Sequence, residues 1–134
     1  MKYVLAFLLS LVSYGSPKLH IDLVDQQSVF SENVAKLIEF VERKGYKVTL
    51  GEAYRTHEQA LIYSHTGLGI VNSLHCQRLA IDLNVFTKEE KRLVSAQDYL
   101  QFGEYWEKLD MHNIWGGRWL HRPDADHFQM DEAR

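Results

Sequence analysis

From Ser28 to Arg43 the apolar residues Phe30, Val34, Leu37, Ile38 and Val41 recur at helical spacing, with Gly45 where a helix C-cap glycine belongs. This predicts an amphipathic helix. Tyr46 to Leu50 alternates and is rich in β-formers, which predicts a strand ending at Gly51. Thr56-His-Glu-Gln59 matches a capping box, and a helix from His57 to Ser64 is expected after it, closed by Gly67 and Gly69. Leu79 to Phe86 reads as a strand buried on at least one face, and Ser95 to Leu109 as a second long helix with an aromatic face. Ile114–Trp119 and His127–Met130 are short strand candidates around Gly116-Gly117. Helices mixed with short strands, without regular βαβ alternation, predict an α+β domain: a small antiparallel sheet flanked by helices.

With 134 residues, 46% of them hydrophobic and 25% charged, the chain fits one domain with a sizeable core and needs no disulfide support. The net charge of −3 gives no electrostatic case for nucleic acid or an anionic membrane as partner. A single cysteine, Cys76, excludes an intramolecular disulfide and is expected to be a structural or incidental thiol. Met1-Lys2 followed by the apolar run Tyr3–Val12 and by Ser13-Tyr14-Gly15 has the layout of a short secretory signal, too short for a stable membrane span. Residues 1–15 read equally as a first core helix or strand, with the main domain over 16–134. The first reading implies export to the periplasm or cell wall, the second residence in the cytoplasm.

The chemistry concentrates in Ser73-Leu-His75-Cys-Gln-Arg-Leu-Ala-Ile-Asp82 and in Asp124-Ala-Asp-His127. Two histidines and a carboxylate are the ligand set of a catalytic zinc, and a further carboxylate supplies the proton acceptor that a purely structural site has no use for. Zinc ligands must converge to within roughly 3–4 Å of one another. Seven residues of continuous strand would separate the Cα atoms of His75 and Asp82 by roughly 23 Å, and seven residues of helix by about 10.5 Å. The metal reading therefore requires a turn at Cys76-Gln77-Arg78. On one uninterrupted strand Asp124 and His127 would face opposite sides, so a second turn is expected near Pro123 to aim Asp124 at the metal water. Asp126 should point away from His127. His20, His57, His65, His112 and His121 lack a partner pattern, His121 being the second-best ligand.

Ser-x-His, Ala-x-Asp seven residues past the histidine, Trp115-Gly116-Gly117 and Asp124-x-x-His127-Phe128 occur in the order that resembles the zinc D-Ala-D-Ala carboxypeptidase and dipeptidase family, which includes phage L-alanyl-D-glutamate endopeptidases. Gly51-Glu-Ala-Tyr-Arg-Thr-His-Glu-Gln59 extends the resemblance, which covers roughly residues 28 to 130. It implies zinc held by His75, Asp82 and His127, Asp124 as general base, and Arg55 on the substrate carbonyl or oxyanion. Ser73 and Gln59 are the substrate contacts it suggests; Trp115 is expected in the core or on the groove wall, where it would be a further substrate contact. Many relatives have glycine where Arg78 stands, in the required turn. The activity implied is hydrolysis of bacterial peptidoglycan stem peptides at the L-Ala-D-Glu bond. The alternatives are a D-Ala-D-Ala carboxypeptidase or, as in the related hedgehog signalling domain, a zinc-binding module without catalysis.

Overall fold

The computed structural model describes residues 22–132; the segment 1–15, with its signal and core-element readings, lies outside them. Helix α1 spans Leu23–Arg43, strand β1 Lys47–Leu50 and helix α2 His57–His65. A 3-10 helix over Leu74–Gln77 leads into β2, Ala80–Phe86; α3 follows at Ala96–Leu109, β3 at Asn113–Trp115 and β4 at His127–Met130. The strands form one antiparallel sheet in the order β1-β2-β4-β3. This is the α+β single domain expected, with its site on the sheet.

The local signals explain most boundaries. Helix α1 begins at Leu23 rather than Ser28. Gly45, at φ 87°, takes the left-handed position past its last turn. Thr56 Oγ accepts the Gln59 amide, the first half of the expected capping box; at α3 the box is complete and formed by Ser95 and Asp98. The strand anticipated over Ile114–Trp119 stops at Trp115, because Gly116–Arg118 winds into a 3-10 turn.

Alternation along β2 sorts its two faces. Ile81, Leu83 and Val85 enter the core, joining Leu37 and Val41 of α1 and Tyr99, Phe102 and Trp106 of α3. Asp82 and Asn84 are left on the opposite face. Polar side chains pin the helices to the sheet: the buried Tyr99 hydroxyl donates to the Leu83 carbonyl at 2.9 Å and accepts from the Val85 amide at 3.0 Å. Trp106 Nε1 donates to the carbonyls of Ile114 and Gln129. Trp115 is seated against a glycine of α3, since a Cβ on Gly103 would lie 2.1 Å from its ring. No helix of the described residues is long and apolar enough to cross a membrane.

Candidate metal centre and catalytic cleft

Register brings the first two candidate ligands together. Asp82 of β2 and His127 of β4 are direct cross-strand partners, so their side chains leave the same face of the sheet a few ångströms apart. His75 arrives from the 3-10 helix. Ser73 caps that helix by accepting the His75 amide, and Arg78 reverses the chain in the left-handed conformation, φ 56° and ψ 35°. The turn required at 76–78 is therefore present, and it does take the positive φ that favours glycine, although an arginine occupies it.

His75 Nε2 lies 3.4 Å and His127 Nδ1 3.1 Å from the same Asp82 oxygen. The two imidazole centroids are 5.0 Å apart at 74°. One ligand atom from each residue falls within 4.8 Å of the others, close to the separation a small dication imposes on its ligands. Burial alone would raise the Asp82 pKa, but hydrogen bonds from His127 and His75 outweigh it and pull the carboxyl down to about 2. It is thus an anion at any working pH. His127 Nε2 faces Gln129 Oε1 at 2.9 Å. With the amide oxygen accepting there, Nδ1 is the nitrogen whose lone pair can serve a cation. Burial works to lower the His127 pKa, yet the bonds to Asp82 and Gln129 raise it overall. The metal-free ring therefore tends to carry an extra proton that a cation would displace. His75 Nδ1 is buried without a hydrogen-bond partner among the described residues. Two imidazoles and one ionised carboxylate, all sunk in the floor of a cleft, fit zinc.

The turn expected near Pro123 is also present. The Asp124 amide donates to Gly116 O at 3.0 Å, and the His127 amide to Asp124 O at 3.3 Å. This packing demands glycine at 116, where a Cβ would stand 2.6 Å from the Asp124 carbonyl oxygen. Asp124 lines the same cleft as the three candidate ligands. Partial removal from water, and then its hydrogen bond with Asp126, push its carboxyl up to about 6. Asp126 itself is outside the cleft lining, on the side away from His127 that the alternation predicts, and forms an ion pair with Arg92 at 3.0 Å.

Arg55 reaches the cleft wall but does not stand free. Its Nε and Nη2 grip the two carboxylate oxygens of Glu52 at 2.8 and 2.5 Å, and Nη1 donates to Ser73 Oγ at 3.2 Å. The guanidinium hydrogen bond is the main cause of the lowered Glu52 pKa. The Glu52 carbonyl also accepts the Asp82 amide, and the Arg55 amide donates to the His75 carbonyl. Glu52 and Arg55 thus brace both arms of the metal site. The sequence reading missed Glu52; its only signal was its place three residues before Arg55 in the matching segment.

Ser73 is a cleft residue, held by Arg55 and the His75 amide. Trp115 requires a correction. It is 1% exposed, its Nε1 is bonded to the Ala125 carbonyl, and it is absent from the cleft lining; as a core residue it cannot touch a substrate there. Gln59 likewise lies away from the cleft, in the first turn of α2. The aromatic wall is Trp119, 5.0 Å from the His127 ring. His121 is exposed and outside the cluster. The cleft has a volume of about 480 Å³, enough for a short peptide segment.

A sheet-borne His-Asp-His cluster with a carboxylate beside it in an open cleft has the ligands and the proton acceptor that a metal-assisted hydrolase needs. Residues 66–130, which carry all of these elements except Arg55 and Glu52, match the family model described as D-alanyl-D-alanine carboxypeptidase. The match, which spans just under half of the chain, is to the family that its ordered motifs resemble. Among solved structures the fold is similar to the crystal structure of the Serratia marcescens L-Ala D-Glu endopeptidase ChiX, with a TM-score of 0.61 and 17% sequence identity over 81% of this chain and 85% of that one. No curated protein matches the chain significantly.

Proposed function

We propose that the protein is a zinc-dependent peptidase that hydrolyses peptidoglycan stem peptides at the L-Ala-D-Glu bond. The observation that carries this reading is the convergence of His75, Asp82 and His127 within 4.8 Å on the floor of the cleft that Asp124 lines. A site that only stored or displayed a metal would not need a carboxylate poised near neutrality. Bound by these three residues, zinc would leave a fourth position open, acidify water and polarise the scissile carbonyl.

The rest is the work of the chain. Asp124, with a pKa of about 6, is ionised above that pH and can take a proton from the attacking water. It can then return that proton to the leaving amine. Gln129 keeps His127 in one tautomer and one orientation. Arg55, held in its plane by Glu52, offers its remaining N–H groups to the carbonyl oxygen as negative charge develops there. Trp119 walls the cleft beside His127.

The family description favours one other reading, a D-alanyl-D-alanine carboxypeptidase. Digestion of purified peptidoglycan by the zinc-loaded protein, with new termini identified by mass spectrometry, separates the two. New L-Ala carboxyl and D-Glu amino termini are expected; free D-Ala alone would overturn the endopeptidase reading. Activity undiminished by a chelator would overturn the metal.

A further inference from the structure

Among the described residues two arginines line the cleft, and no lysine does. Arg55 has its charge compensated by the bidentate bond to Glu52. Arg122 has no carboxylate partner among the described residues; its Nη1 donates to the carbonyl oxygen of Gly67 at 2.7 Å, across 55 residues of sequence. Gly67 presents that carbonyl from a left-handed turn, φ 73°. The anchor is a neutral acceptor, so it orients the guanidinium without cancelling its charge and leaves further N–H donors for a ligand.

The surroundings define what that ligand must be. Asp82, Asp124 and Asp131 line the cleft and make it acidic, so an anionic group entering it needs a cation of its own. Leu68 and Ile70, 62% and 67% exposed, line the cleft next to the Arg122 anchor and offer aliphatic contact. Planar two-pronged donors paired with an apolar wall suit a carboxylate on a small amino acid.

We infer that Arg122 binds the substrate carboxylate adjacent to the scissile amide and so selects acidic over amidated stem peptides. This rests on the peptidase reading above. Two carboxylates have this chemistry: the α-carboxylate of a D-Glu joined through its γ-carboxyl, and the C-terminal carboxylate of a terminal D-Ala. The same guanidinium chemistry serves either.

The test uses the full chain loaded with zinc and two substrate pairs. One is L-Ala-γ-D-Glu-L-Lys and its D-Glu α-amide; the other is a peptide ending in D-Ala-D-Ala and its C-terminal amide. The wild type is expected to favour the acid of one pair by roughly 10- to 100-fold in kcat/KM, the range of a charge-assisted hydrogen bond. That pair identifies the carboxylate. Arg122→Gln should bring the acid and amide to within a few-fold of each other, mainly through KM, and Arg122→Lys should keep part of the preference. An acid-to-amide ratio unchanged in Arg122→Gln would overturn the assignment and leave Arg122 as a rim tie to Gly67. If the wild type cleaves neither pair, the peptidase reading falls and the carboxylate site with it. Hydrolysis with an unaltered ratio removes only the second.

Discussion

Arg78 closes the turn that carries His75 back to Asp82, and it does so at φ 56°, where side chains with a Cβ are strained. A left-handed conformation costs an L-residue about 1–2 kcal/mol. Replacing Arg78 with glycine removes that strain, but glycine costs about 0.5–1 kcal/mol in extra unfolded-state freedom. It also removes the guanidinium from the Tyr54 ring, 4.0 Å away, a contact worth about 0.5–1 kcal/mol at an exposed site. The gains and losses nearly cancel, so Arg78→Gly should leave stability within about 0.5 kcal/mol of wild type. Arg78→Ala loses the ring contact and keeps the strain, so it should be less stable by about 0.5–1 kcal/mol. At an ordinary helical or extended position alanine outranks glycine; here the order inverts. Urea denaturation of the metal-free variants at fixed pH gives the ordering directly, provided the slopes agree. An alanine variant as stable as the glycine variant would refute the strain argument.

Asp124→Asn should lower the turnover rate by about 10²–10⁴-fold while zinc stays bound, by loss of the proton acceptor; zinc content and kcat measured on one preparation check this. Because the folded Asp124 pKa of about 6 lies above its unbonded value of 3.8, its ionisation works against folding as pH rises from about 4 to 6. The same variant, freed of metal, should therefore gain about 1 kcal/mol above pH 6 and nothing near pH 3.5, after discounting for the water that reaches this carboxyl. Thermal melts at both pH values test the sign. Zinc must displace the proton that Asp82 and Gln129 favour on His127, so zinc affinity should weaken steadily as pH falls through neutrality, with proton release on binding measurable by calorimetry in buffers of different ionisation enthalpy. Gly103→Ala would drive a Cβ to 2.1 Å from the Trp115 ring and should destabilise by about 3 kcal/mol or more, since helix backbone and a large ring must both move; a melt unchanged within error would contradict the packing.

What could be read from the chain divides along physical lines. Helices α1 and α3 announce themselves because their apolar stripes and caps are local. The two turns were forced by reach: neither a continuous strand nor a continuous helix lets His75 meet Asp82, and a continuous strand puts Asp124 and His127 on opposite sides. Partners that meet only in space left no such trace. Nothing in Glu52-Ala-Tyr-Arg55 marks a bidentate pair, since the segment has no regular structure to set the spacing. Trp115 reads from the sequence as core or groove wall, and its motif does not say which. The glycines around it are required by close packing: Gly116 lets Asp124 approach, and Gly103, far off in sequence, opens the slot for the indole. Gln129 was within reach, because the residue two beyond a ligand on a strand shares its face and is the natural partner for the ring.

Asp82 and His127 owe their meeting to the pairing of β2 with β4, across 45 positions of sequence. The scaffold of α1, β1 and β2 leaves the ribosome before any third ligand exists. Until His127 has emerged and β4 has paired between β2 and β3, the three candidate ligands cannot converge. The candidate centre is therefore completed late, by the strand that carries His127, and not by the scaffold that holds His75 and Asp82.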